Sequence, residues 1–157
     1  EGLWICAARR SYGHRVTFGR PGAPPTTLAP PVGAACGVPR HLPPYAASAN
    51  PVDVTPLWRD YPRLYPLVLE EIARSREVDL IAVSVTDVPT TGPDLAKALA
   101  RTIPKLGLPV IVYWASRDAD VAYMAPLQAA RVPCYRTTRE SALALGALAR
   151  FRPSGRP

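Results

Sequence analysis

From residue 48 onward the sequence alternates helical with strand-like stretches, which predicts an α/β fold: a small doubly wound parallel sheet behind an irregular N-terminal segment. Three observations predict it. Two nearly continuous apolar runs, Val-Asp-Leu-Ile-Ala-Val-Ser-Val over 78–85 and Pro-Val-Ile-Val-Tyr-Trp over 109–114, have the texture of strands buried on both faces. Stretches with apolar residues at helical spacing flank the first run. The composition changes near residue 41, before which Pro and Gly are dense and Glu1 is the one acidic residue.

Taken in order, residues 1–41 show no sustained periodicity; the run 19–31 reads as an extended or disordered linker, and a second reading takes residues 1 to about 40 as GC-rich text translated out of frame. A short strand is expected near Ala46 to Ala49. Leu64, Leu67, Val68 and Ile72 predict an amphipathic helix over 62–75, with Pro62 tolerated in its first turn. The 78–85 strand follows, then a polar loop, then a helix over 94–103 with Leu95, Leu99 and Ile103 on one face and Gly107 closing the turn after it. The 109–114 strand leads to a helix from about 120 to 130 and a short strand over 132–136. Thr137 and Glu140 have the spacing of a capping box, so a last helix carries Ala142, Leu143, Leu145, Leu148 and Ala149. With right-handed crossovers this order gives a flavodoxin-like sheet over 42–152, followed by a tail at 153–157.

The chain has 157 residues, enough for one domain with a core. No apolar run reaches the roughly 18 residues that span a bilayer, so membrane insertion is not expected. Cys6, Cys36 and Cys134 form no even framework and no C-x-x-C pair, which fits a cytoplasmic location. The net charge of +7 comes mostly from scattered Arg, without the interleaved aromatics of a stacking platform, so no nucleic-acid partner is expected. The sequence opens at Glu1 and not at Met, so a piece of a longer chain or a truncated gene product is expected.

Nucleophilic catalysis needs a base beside Ser or Cys, and the histidines, His14 and His41, both fall in the irregular part; a triad is not expected and no catalytic residue is assigned. Cys134, in a predicted buried strand, reads as a small inert hydrophobe. In a sheet of this kind ligands meet the loops at the carboxyl ends of the strands. There Thr86, Asp87 and Asp118 are candidates, and Asp87, Asp118 and Asp120 could gather around Mg²⁺ or serve as turn and cap residues. Neither G-x-G-x-x-G nor G-x-x-x-x-G-K-[ST] occurs, so those two phosphate loops are excluded. The loop 50–55 leads into the first helix, whose N–H groups favour an anion; Asn50, Asp53 and Thr55 face a phosphate there or are plain caps.

The stretch Ala-Asn-Pro-Val-Asp-Val-Thr-Pro over 49–56 resembles the start of the last flavodoxin-like domain of the NDP-forming acyl-CoA synthetases, the acetate–CoA ligase (ADP-forming) family related to succinyl-CoA synthetase. The text after it is similar in order: the run through 78–85, then Gly-Leu-Pro-Val-Ile-Val-Tyr-Trp over 107–114, then Arg-Val-Pro-Cys-Tyr-Arg-Thr-Thr and the helix to Phe151. The resemblance covers about 42–152. It implies a succinyl-CoA synthetase-like domain of the α-type chain, working with a CoA-binding domain, a phosphohistidine domain and an ATP-grasp module. Together these convert acid, CoA and ATP to acyl-CoA, ADP and phosphate, so CoA, ATP/ADP and Mg are cofactors of the full enzyme and none is held with assurance by this chain. By the same resemblance this domain packs against the phosphohistidine domain and offers a helix N-terminus, with Asn50, Asp53 and Thr55, to the phosphate. Alone it is not catalytically complete. Two other classes stand beside this reading: a free-standing CoA- or acyl-CoA-sensing or protein-interaction module without catalysis, and a product with no function.

Overall fold

The computed structural model describes residues 4–8, 38–48, 51–54, 59–86, 90–115 and 121–150. Its strands are β1 (Trp4–Ala8), β2 (Val52–Asp53), β3 (Leu80–Thr86), β4 (Val110–Ala115) and β5 (Cys134–Tyr135). Its helices are α1 (Tyr61–Arg74), α2 (Gly92–Thr102), α3 (Val121–Ala129) and α4 (Thr138–Arg150). The sheet order is β2-β1-β3-β4-β5. β3, β4 and β5 are parallel, with Val83 opposite Val112 and Val112 opposite Cys134.

Two expectations are corrected here. The segment expected to be irregular over 1–41 supplies β1, which lies between β2 and β3 and runs antiparallel to both, so the sheet is mixed and not all parallel. An antiparallel neighbour needs no helical crossover, and so the Trp4–Ala8 segment can enter the sheet without the βαβ pattern that sequence reading looks for. The strand expected near Ala46 to Ala49 lies later, at Val52–Asp53, while 46–48 form a bend whose Ala47 carbonyl accepts the Asp53 N–H at 2.8 Å.

Because β2 and β3 are each antiparallel to β1, β2 points the same way as β3, and the β2, β3, β4 and β5 carboxyl ends share one edge. Side-chain alternation then separates two faces. Ile81, Val83 and Val85 of β3, with Val110, Val112 and Trp114 of β4, join Ile5, Val52 and Val54 in a core filled by α1, α2 and Leu127 of α3. Leu80 and Ile111 point the other way, onto Leu145 of α4. Three helices thus cover one face, α1 against α2 and α2 against α3, while α4 alone packs on β3, β4 and β5 from behind.

α1 buries Tyr61, Leu64, Tyr65, Val68, Leu69 and Ile72, a stripe at i, i+3 and i+4; Leu67 is only half-buried beside it. Pro62 sits in the first turn, where no N–H is required, and Pro66 lies inside the helix. The helix ends on Arg76 at φ 56°. Its N–H reaches the Ala73 carbonyl at 3.3 Å, and the Ser75 hydroxyl donates to the Ile72 carbonyl at 2.7 Å while accepting the Glu77 N–H at 3.2 Å. The serine thereby bridges two groups that a Schellman turn would join directly. α3 ends in the direct form: Arg131 at φ 56° donates to the Gln128 carbonyl, and Val132 donates to that of Leu127.

α2 starts two residues earlier than the sequence predicts and buries Leu95 and Leu99; Ile103 opens the 3-10 turn that follows. Gly107 takes φ 70°, as the turn into β4 requires. The N-cap half of the expected capping box is present at α4: the Thr137 hydroxyl oxygen accepts the Glu140 N–H at 3.2 Å, and the hydroxyl donates to the Glu140 carboxylate at 2.8 Å. Leu145 is buried on the sheet, whereas Leu143 is 63% exposed.

Candidate functional site at the carboxyl edge of the sheet

Three described side chains converge where β2 meets α1. The Val-Asp-Val alternation of 52–54 buries Val52 and Val54 in the core and leaves Asp53 half-exposed at the strand end. Tyr61 and Tyr65, one turn apart on α1, lie under it, both essentially buried, with their rings edge to face at 5.4 Å and 84°. The Tyr65 hydroxyl crosses to β3 and donates to the Ser84 carbonyl at 3.2 Å.

The electrostatics follow from that placement. Burial pushes the Tyr61 phenol up to about 12, and the nearby Asp53 carboxylate adds to the effect. Burial raises Tyr65 well above the ordinary phenol value too, reinforced by Tyr61 and Asp53. Both hydroxyls therefore remain protonated hydrogen-bond donors at neutral pH and are no bases there. Asp53 and, one residue before α1, Asp60 each bring negative charge to this edge; Arg63 offsets the second at 3.8 Å. Asp60 and Thr91, the N-caps of α1 and α2, make no side-chain cap bond.

Of the candidates named from the sequence, Asp53 and Thr86 are described. Thr86 is the half-buried last residue of β3, opposite Ala115, on the same sheet edge as Asp53. Asn50, Thr55, Asp87, Asp118 and Asp120 lie outside the described residues, as does His14. Among the described residues no group of three His, Cys, Asp or Glu side chains is placed to hold a metal ion. Cys134 is half-buried in β5, and burial pushes its thiol up to about 11, which leaves it a poor nucleophile at neutral pH.

His41 departs from the expectation of an irregular surrounding. It closes a 3-10 turn, Val38–His41, that docks on α1 through the buried Val38, and its ring faces Glu71 with Nε2 3.6 Å from Oε1. Glu71 is a hub. It accepts from Arg74 at 2.6 Å and pairs with Arg40 at 3.6 Å. Burial works to raise its carboxyl, but the Arg74 hydrogen bond, the charges of Arg40 and Arg74 and the His41 contact outweigh burial and hold it below the ordinary carboxylate range. No serine or cysteine is among these contacts, so the cluster ties a turn to a helix and forms no nucleophile–base pair.

Sequence reasoning missed the tyrosine pair and the Glu71 hub. The pair was visible as Tyr61 and Tyr65 at i, i+4 in line with Leu64 and Val68. The hub joins residues some 30 apart in sequence, which no local pattern signals. Protein-family models, curated protein sequences and solved structures were all compared with this chain, and none matches. Among the described residues no helix is long and apolar enough to cross a membrane.

Proposed function

We propose that this chain is a non-catalytic, flavodoxin-like partner domain of an acyl-CoA synthetase of the NDP-forming type, acting by packing against the domain that carries the phosphohistidine. One observation carries the reading. The text most like that family, 49–56, contains β2, whose carboxyl end lies on the sheet edge where open α/β sheets meet their ligands and partners. The buried tyrosines beneath Asp53 make that edge preorganised, because both rings are packed in the core and the Tyr65 hydroxyl is held by the Ser84 carbonyl.

The described residues fit a phosphate poorly. Asp53 and Asp60 place two carboxylates where an anion would approach α1, and so no phosphate-transfer step is derived from them. CoA, ATP and Mg belong, in this reading, to the other domains. A second reading, a free-standing CoA-sensing or interaction module, is favoured by β1: the chain's own N-terminal strand lies inside the sheet, between β2 and β3.

The test is association of the full chain with a purified CoA-binding and phosphohistidine chain of such a ligase, followed by sedimentation with and without ATP and CoA. We expect a complex that Asp53→Lys weakens at least tenfold. No complex in any nucleotide state sinks the ligase reading, and heat on titrating CoA into the chain alone selects the sensing module.

A further inference from the structure

A cleft of about 430 Å³ opens at the opposite, amino edge of the sheet, where the chain enters β4 and β5. Its walls are Ile103, Leu108, Pro109, Val132 and Leu148, with other uncharged residues, and among the described residues Arg131 is the one charged group that lines it. The volume lies in the range of small-molecule sites, which are mostly apolar with few placed polar groups. Arg131 is exposed, and its guanidinium forms no ion pair with a carboxylate among the described residues. The backbone there stands at φ 56°, a conformation that glycine adopts most easily. Strain alone singles out nothing, since Arg76 shares that geometry; the position in the lining does.

We propose that this cleft binds a small amphipathic organic anion, with its apolar body against Leu108, Val132 and Leu148 and its anionic group on the Arg131 guanidinium. The charge logic is direct. A lone cation at the end of an apolar wall favours a ligand with one negative group and an apolar remainder over a neutral ligand of equal size. This site lies across the sheet from the Asp53 edge and does not depend on the function proposed for that edge.

The experiment uses the full chain, labelled for amide NMR, with octanoate and octan-1-ol as matched probes. Octanoate should shift the Gly107, Leu108, Arg131 and Val132 amides saturably and bind about tenfold tighter than octan-1-ol, the effect of one charge-assisted contact. Arg131→Gly removes the cation at a position where glycine suits the backbone, so the fold is kept. It should lower octanoate affinity about tenfold and leave octan-1-ol unchanged. Leu148→Trp, which fills the cleft, should abolish both. The proposal is overturned by shifts scattered over the chain, by equal binding of the two probes, or by undiminished octanoate binding to Arg131→Gly in a variant whose remaining spectrum matches the parent.

Discussion

Glu71 shows how one carboxylate can make stability depend on pH. Its folded pKa is lowered, so it contributes stability that is present above the unfolded carboxylate pKa and lost as pH falls through the folded value. Thermal melts across the acid range should therefore show a decline that Glu71→Gln flattens; parallel profiles for the two proteins would remove Glu71 from that role. Tyr61 acts at the other end of the scale. Its phenol titrates near 12 when folded against 10.0 as the reference, so the unfolded chain releases the proton first and stability falls as pH rises above about 10. Tyrosinate absorbance should lag behind the ionisation of an unfolded control. At Tyr65, replacement by Phe removes the donor to the Ser84 carbonyl and should cost about 0.5–1.5 kcal/mol in urea unfolding.

Helix boundaries in this chain follow local chemistry. Thr137 caps α4 by accepting the Glu140 N–H, and Thr137→Ala should destabilise the protein by about 1 kcal/mol in denaturant unfolding, with a null effect showing that the cap is redundant. Pro62 starts α1 at no hydrogen-bonding cost, whereas Pro66 removes one N–H from the ladder. α1 survives Pro66 because six of its side chains are buried along one stripe, and that packing outweighs propensity. α1 and α3 end at Arg74 and Ala129, within one residue of where the sequence places their ends, although Arg76 and Arg131 stand where a glycine is the usual left-handed cap. Leu143 is exposed for a different reason. α4 meets the sheet along a narrow strip centred on Leu145, and a residue two positions away is turned by about 200° to the solvent side.

At the scale of the whole molecule, β1 joins what the sequence seems to separate. Ile5 is fully buried in the main core between residues of β3 and α1, so the Pro- and Gly-rich N-terminal region contributes to the same folding unit as residues 80–115. Ile5→Ala should cost about 2–5 kcal/mol and lower the melting of the entire chain in one transition. Unchanged stability would mean that β1 is dispensable to the sheet. Among the described residues the two faces differ in cover, three helices against one, and the strand directions put the Asp53 edge and the Arg131 cleft at opposite ends of the sheet.

The alternation of apolar runs and amphipathic stretches was enough to determine the α/β class, the parallel β3-β4-β5 ladder and all four helices, because burial periodicity and caps are written in neighbouring residues. What only the tertiary structure decided is the antiparallel place of β1, the Asp53–Tyr61–Tyr65 grouping and the Glu71 hub. Each depends on contacts between segments far apart in the chain. Such contacts are selected by which surfaces bury one another once the sheet has formed, and no local spacing records them.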